Sequence, residues 1–253
     1  MTINKEIIQY WERSTPMSFV PEELGYDKKR EFRYSLQDYM HRAFQFGDFS
    51  GKLVLEVGCG AGIDSAEFAR NGASVISTDL TRKGTELTRD LLKEGNLPSM
   101  VIQSDAKALP FKDETFDCVY SFGVLHHFPG IEAALAEIHR VLKPGGQVMV
   151  MLYHQDSLLY AYSIIFWRGI KEGLLKTLAP EQLVSCYSER NEGCPYTRAY
   201  TKDEAITLFS SRFKQVTAEV HYNVIDLPEQ RKVKVEIPDK YELGWHLIVK
   251  AVK

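Results

Sequence analysis

The sequence is poor in cysteine, has no long apolar run and carries no surplus of positive charge. Its 253 residues hold four cysteines, Cys59, Cys118, Cys186 and Cys194, and none stands in a C-x-x-C or histidine-paired spacing. That excludes a disulfide framework and the usual zinc sites, and no metal is expected. The opening Met1 to Glu6 lacks the apolar core of a secretory signal, and no run approaches the length that crosses a bilayer. The expected compartment is a reducing cytoplasm, with no membrane partner. Lysine and arginine number 31 against 34 acids, a net charge of -3, so no general field draws nucleic acid. The one basic run, Lys28-Lys29-Arg30, reads as a solvated face. There is neither an internal repeat nor a low-complexity linker, and 44% hydrophobic residues suffice for the core of one α/β domain at this length.

What is present centres on Leu53-Val54-Leu55-Glu56-Val57-Gly58-Cys59-Gly60-Ala61-Gly62, an apolar run that ends in an acid and three alternating glycines. Such a run reads as a buried parallel strand, and the glycines leave no Cβ between main chain and ligand as a helix begins near Asp64. A dinucleotide loop, G-x-G-x-x-G, requires its third glycine at position 63, where the chain has Ile63. Glu56 places a carboxylate where pyrophosphate is repelled and an ammonium is held. Asp79 ends the next apolar run, Ala73 to Asp79, where such folds bond the two ribose hydroxyls. Adenosine without phosphates, joined to an amino acid, satisfies all three features.

Strand patterns at about 53–57, 74–78, 100–103, 116–121 and 147–153 alternate with helical ones near 63–71, 81–94 and 131–141. Thr201 before Asp203-Glu204 caps a further helix, and strands at about 213–222 and 243–252 close the chain. The predicted organisation is a helical N-terminal cap (1–50), a cofactor-binding core (51–153), an aromatic lid or substrate insertion (154–200) and a C-terminal helix and hairpin (201–253) in one domain.

Here the sequence resembles the class I S-adenosylmethionine-dependent methyltransferases, in their small-molecule branch. The resemblance covers about 50–155. It rests on Val54 to Gly62, Asp79-Leu80, Ser104 to Phe111, Phe116 to Ser121, Gly123-Val124-Leu125-His126-His127 and Arg140 to Gly146, six segments in the family's order. The resemblance implies an α/β, Rossmann-like, doubly wound seven-stranded sheet, mostly parallel with an antiparallel last strand, and a helical lid over its carboxyl edge. It implies S-adenosyl-L-methionine as cofactor, with Glu56, Gly58, Cys59 and Gly60 lining the methionine end and Asp79 gripping the ribose. Asp105 would bond the adenine amino group, Leu80 and Ala106 would sandwich the ring, and Ser121 would lie beneath the sulfonium. Leu142-Lys143-Pro144-Gly145-Gly146 reads instead as punctuation between helix and strand.

Methyl transfer from a sulfonium needs alignment and exclusion of water more than a dedicated base. Where the acceptor carries a proton, His126 and His127, on the loop after the fourth strand, are the candidate bases, and packing with a structural hydrogen bond is the other reading. Arg33 and Tyr34 are placed either over the cofactor's carboxylate or as a surface arginine and a core tyrosine. Tyr153, His154 and Tyr196 are candidate substrate contacts. The expected partner is a small-molecule acceptor whose identity, like the oligomeric state, the sequence leaves open. An NAD-linked oxidoreductase shares the sheet and the ribose acid, and a non-catalytic S-adenosylmethionine-binding module shares the fingerprint. Titration with NADH separates the first, and tight cofactor binding without turnover the second.

Overall fold

The computed structural model describes residues 3–14, 24–189, 191–227 and 230–253. Three helices come first, α1 (Ile3–Ser14), α2 (Tyr26–Leu36) and α3 (Met40–Phe44). Of the N-terminal stretch 1–50, residues 1–2 and 15–23 lie outside the described residues. The alternating core follows as β1 (Leu53–Val57), α4 (Ile63–Arg70), β2 (Ser74–Asp79), α5 (Arg82–Glu94), β3 (Ser99–Gln103), β4 (Phe116–Phe122), α6 (Ile131–Val141) and β5 (Leu142–His154). Next come a π-helix (Leu159–Lys171), a 3-10 turn (Leu174–Lys176), α7 (Pro180–Tyr187) and β6 (Ala199–Tyr200). The chain closes with α8 (Lys202–Ser210), β7 (Lys214–His221), β8 (Val224–Leu227), β9 (Gln230–Lys234) and β10 (His246–Val252).

Local chemistry explains the main elements. β1 is aliphatic because both faces are covered, with Val54 and Leu55 fully buried. Thr81 caps α5 by accepting the Gly84 N–H at 3.0 Å, and Thr201 and Glu204 form the capping box of α8. The principal sheet runs β3-β2-β1-β4-β5-β10-β7, with short β6 beside β5, and β10 lies antiparallel to both its neighbours. Successive β5 residues serve opposite faces: Met149, Met151 and Tyr153 join one apolar cluster, Val148, Val150 and Leu152 the other.

The seven strands on the continuous path, with an antiparallel last strand, are those expected. Two features differ. β6 and the separate β8–β9 hairpin were not anticipated, being too short for a periodic signal. Residues Leu142 to Gly146, read as punctuation, are the first part of β5 itself. They form an irregular strand entrance, where the register against β4 shifts and Gly145 adopts a φ of +75°. A Cβ on Gly146 would stand 3.1 Å from the Asp117 carbonyl oxygen, so the segment needs its glycines inside the sheet.

Candidate functional site

β1 and β2 deliver a glycine bend and an acid to the carboxyl edge of the sheet. Gly58 has a φ of +79°, and a Cβ there would fall 2.2 Å from a methyl carbon of Val124. No other residue fits. The N–H groups of Gly58 and Cys59 donate to the Thr78 carbonyl at 2.7 and 2.9 Å, and that of Gly62 donates to the Cys59 carbonyl at 2.8 Å. The Gly60 N–H donates to Asp79 Oδ2 at 2.9 Å. These four donors, which a pyrophosphate would require, are committed within the protein, so the bend suits close apolar approach rather than anion binding. Asp79 Oδ1 also accepts from the Thr81 N–H and hydroxyl at 2.8 and 2.6 Å. A carboxylate has about four acceptor positions. Three are filled, leaving one, plus an exchangeable threonine hydroxyl, for a ribose diol.

The sequence misplaces Glu56 and leaves its neighbour unnoticed. Glu56 is 3% exposed and lies in the wall beneath α4 rather than at the strand mouth, with the Ser65 hydroxyl donating to Oε2. Burial, and next the charge of Asp64, push its carboxyl well above the usual range. Asp64 organises the surroundings. It accepts from Arg33 at 2.9 and 3.3 Å, from the Tyr34 hydroxyl at 3.1 Å and from the Tyr120 hydroxyl at 2.8 Å. Arg33 is thus a buried cation, neither a surface arginine nor a free clamp for a ligand carboxylate, and Tyr34 is committed beside it. An acid in a first helical turn is also the ordinary start signal of a helix, so nothing local marked Asp64.

α1 lies across the carboxyl edge. Ile7 shares an apolar cluster with Val57, Leu80, Ala106 and Leu125, which unites the two residues expected to flank an adenine. Glu12 accepts the Arg82 and Lys83 N–H groups at 2.8 and 3.1 Å, placing an anion on the α5 N-terminus. Asp105 is half-exposed, with Oδ1 accepting the Lys107 N–H at 2.9 Å.

Beyond Gly123 the loop turns both histidines inward. His126 is fully buried, packs on Tyr153 at 4.0 Å between ring centroids with the rings tilted by 42°, and has no hydrogen-bond partner on either nitrogen. His127 packs on Trp11 of α1 at 4.8 Å. Burial lowers both imidazole pKa values, that of His126 strongly, and keeps the rings neutral. Three expectations need revision here. The Ser121 hydroxyl donates to the Val57 carbonyl at 2.9 Å and ties β4 to β1 instead of facing a ligand. His154, one residue beyond Tyr153, points to the opposite face and bonds the Gly244 carbonyl at 3.0 Å. Tyr196 approaches His127 Nδ1 through its carbonyl oxygen, at 3.4 Å. Among the described residues no group of three His, Cys, Asp or Glu side chains is arranged to hold a metal ion, and no helix is long and apolar enough to cross a membrane.

Comparison with known proteins bears on this geometry. Residues 55–150 match the family described as "Methyltransferase domain". The chain is 39% identical over 112 residues to phthiotriol/phenolphthiotriol dimycocerosates methyltransferase 1 of Mycobacterium ulcerans, a match spanning 43% of this chain and 40% of that protein. It is 39% identical over 117 residues to the fatty-acid O-methyltransferase of Mycolicibacterium smegmatis, spanning 45% and 41%. The match thus spans about two fifths of each relative's length. In structure it resembles an S-adenosylmethionine-dependent methyltransferase of Thermotoga maritima, with a TM-score of 0.58 and 18% identity over 98% of this chain and 99% of that one, which shows a shared fold. The glycine bend with its committed amides and the acid at the tip of β2 both lie within the matched stretch, residues 55–150, which resembles a methyltransferase domain, and the sheet order is that of the shared fold.

Proposed function

We propose that this protein transfers the methyl group of S-adenosylmethionine to a small organic acceptor by in-line displacement. The cofactor, when bound, supplies an electrophilic methyl carbon and its own sulfonium leaving group. The chain supplies alignment and exclusion of water. Asp79 holds the ribose hydroxyls with its remaining acceptor position, Leu80 and Ala106 flank the adenine, and Asp105 takes the adenine amino group. The turn at Gly58 lets the main chain approach the methionine portion, and α1 covers the edge. The observation that carries this reading is the glycine bend with four committed amides beside a carboxylate that keeps a free lone pair. The named reactions of the relatives support an organic acceptor. Four free thiols support a reducing, cytoplasmic setting.

Calorimetry with S-adenosylhomocysteine tests the reading. Asp79→Asn removes the charge from the ribose contact, and a charged hydrogen bond is worth about 1.5–3 kcal/mol, so affinity falls about 10- to 100-fold. Equal affinity in the variant, or tighter binding of NADH than of S-adenosylhomocysteine by the wild type, refutes it.

A further inference from the structure

Glu189 lies on the insertion after α7, outside the residues shared with the methyltransferase family, and reaches the end of β5. Its Oε1 accepts the Tyr153 hydroxyl at 2.5 Å and stands 3.6 Å from His127 Nε2. His127 is 3% exposed. Its Nδ1 lies 3.1 Å from Thr197 Oγ1 and 3.4 Å from the Tyr196 carbonyl oxygen. The Thr197 hydroxyl donates to Cys194 Sγ at 3.5 Å, so both oxygens near Nδ1 accept, and Nδ1 carries the ring hydrogen. Nε2 therefore presents a lone pair. It has no hydrogen-bond partner, and neither do His126 Nδ1, His126 Nε2 and Trp245 Nε1 in the same cluster. Tyr153 connects them, at 4.0 Å from His126 and 4.3 Å from Trp245 between ring centroids. Buried nitrogens without partners mark a place where a polar ligand belongs.

We propose that His127 Nε2 is the proton acceptor of the methyl transfer, that Glu189 is its positioning residue, and that the acceptor's nucleophile is a hydroxyl group. This rests on the methyl-transfer reading above. The hydroxyl oxygen forms a bond to the methyl carbon, the carbon–sulfur bond breaks with its electron pair going to sulfur, and the hydroxyl proton passes to Nε2. The imidazolium so formed faces the Glu189 carboxylate. A carboxylate acceptor has no proton to surrender and is repelled by Glu189; a hydroxyl needs the pair.

The groups facing His127 come from several elements: His126 beside it, Tyr153 on β5, Cys194 and Glu189 on the insertion, and Trp11 on α1. Burial pushes the Cys194 thiol up to about 12, raises the Tyr153 phenol and lowers His126, so all three stay neutral. Glu189 is the ionic group among them.

Side-chain NMR of the histidine-labelled protein saturated with S-adenosylhomocysteine tests the pair. Glu189→Gln keeps a partner for Tyr153 but removes the counter-charge, and the His127 titration midpoint should fall by about one pH unit. Tyr153→Phe breaks the same hydrogen bond while keeping the charge, and the midpoint should stay. Unchanged midpoints in both variants, with equal losses of Tm, reduce Glu189 to a structural prop and overturn the pairing. Phenol added to the wild type should move the His127 resonances and benzoate should not; movement by benzoate, or by neither, overturns the hydroxyl assignment. Lack of S-adenosylhomocysteine binding in the parallel calorimetry strikes the methyl-transfer reading itself, while the midpoints, repeated on the free protein, still decide the pair.

Discussion

Arg33 and Asp64 form the most consequential pair of single residues. Their side chains are 10% and 7% exposed, and Tyr34 and Tyr120 add two hydroxyl donors to the same carboxylate. Burial opposes the Arg33 charge most strongly, but the charge and hydrogen bond of Asp64, with the facing Tyr120 and Tyr34, together outweigh it and keep Arg33 charged. Removing one partner leaves the other buried and uncompensated, so Arg33→Met or Asp64→Asn should each cost about 3–5 kcal/mol in urea unfolding. A loss below 1 kcal/mol in both would show that water reaches the pair. Gly58→Ala tests the bend in the same way, because its methyl group must displace Val124 while the backbone is held at positive φ. Apparent cofactor affinity should drop more than Tm does, since the displaced atoms line the bend. The place of Asp79 at a strand tip was readable because a strand's end follows from local pattern, whereas the settings of Asp64 and Glu189 were not, because each matters only through partners distant in sequence.

At the scale of elements, α1 and the loop after β4 behave differently from the sheet they cover. α1 is attached through Ile7, Trp11, the Tyr10 hydroxyl on the Asn191 carbonyl, and Glu12 on α5. Ile7→Ala removes a fully packed side chain, worth about 2–5 kcal/mol in a core. Hydrogen exchange within 3–14 should accelerate while β1 and β4 keep their protection, because the helix opens without unfolding the sheet. Uniform acceleration across the chain would show instead that α1 belongs to the global folding unit. The buried histidines set the pH response. His126 and His246 have folded pKa values well below the ordinary 6.5, through burial first and nearby positive or titrating groups second. The unfolded chain then binds more protons than the folded one below about pH 6.5, so stability is present above that pH and is lost as pH falls. Urea midpoints should decline between about pH 7.5 and about pH 5.5, and His126→Phe should flatten the decline. An equal decline in wild type and variant would exclude His126 as a source. Glu56 acts in the opposite sense: its raised pKa makes the folded state the better proton binder above the ordinary carboxyl range, so its ionisation costs stability as pH rises.

For the whole molecule, the last strand holds the sheet together. β10 inserts between β5 and β7 with seven register pairs to β5, and its Trp245 neighbour is 1% exposed against Tyr153. Deleting His246 to Val252 would strip a hydrogen-bonded neighbour from β5 and β7 and leave two unpaired strand edges open, a template for aggregation. Such a protein should show no cooperative thermal transition by circular dichroism and should elute as aggregate in size-exclusion chromatography. A sharp transition in the truncated chain would mean that β1 to β5 fold without their closing strand.

The element order, the parallel core, the glycine bend and the acid ending β2 follow from local patterns, since period, caps and turn residues act over a few positions and need no knowledge of the rest of the chain. Tertiary structure alone decided which charges meet. Arg33 finds Asp64 across 31 positions, and the Tyr39 hydroxyl finds His246 across 207. Those pairings form because folding removes polar groups from water and leaves each only the partners that the sheet edge brings within reach, which no local pattern encodes.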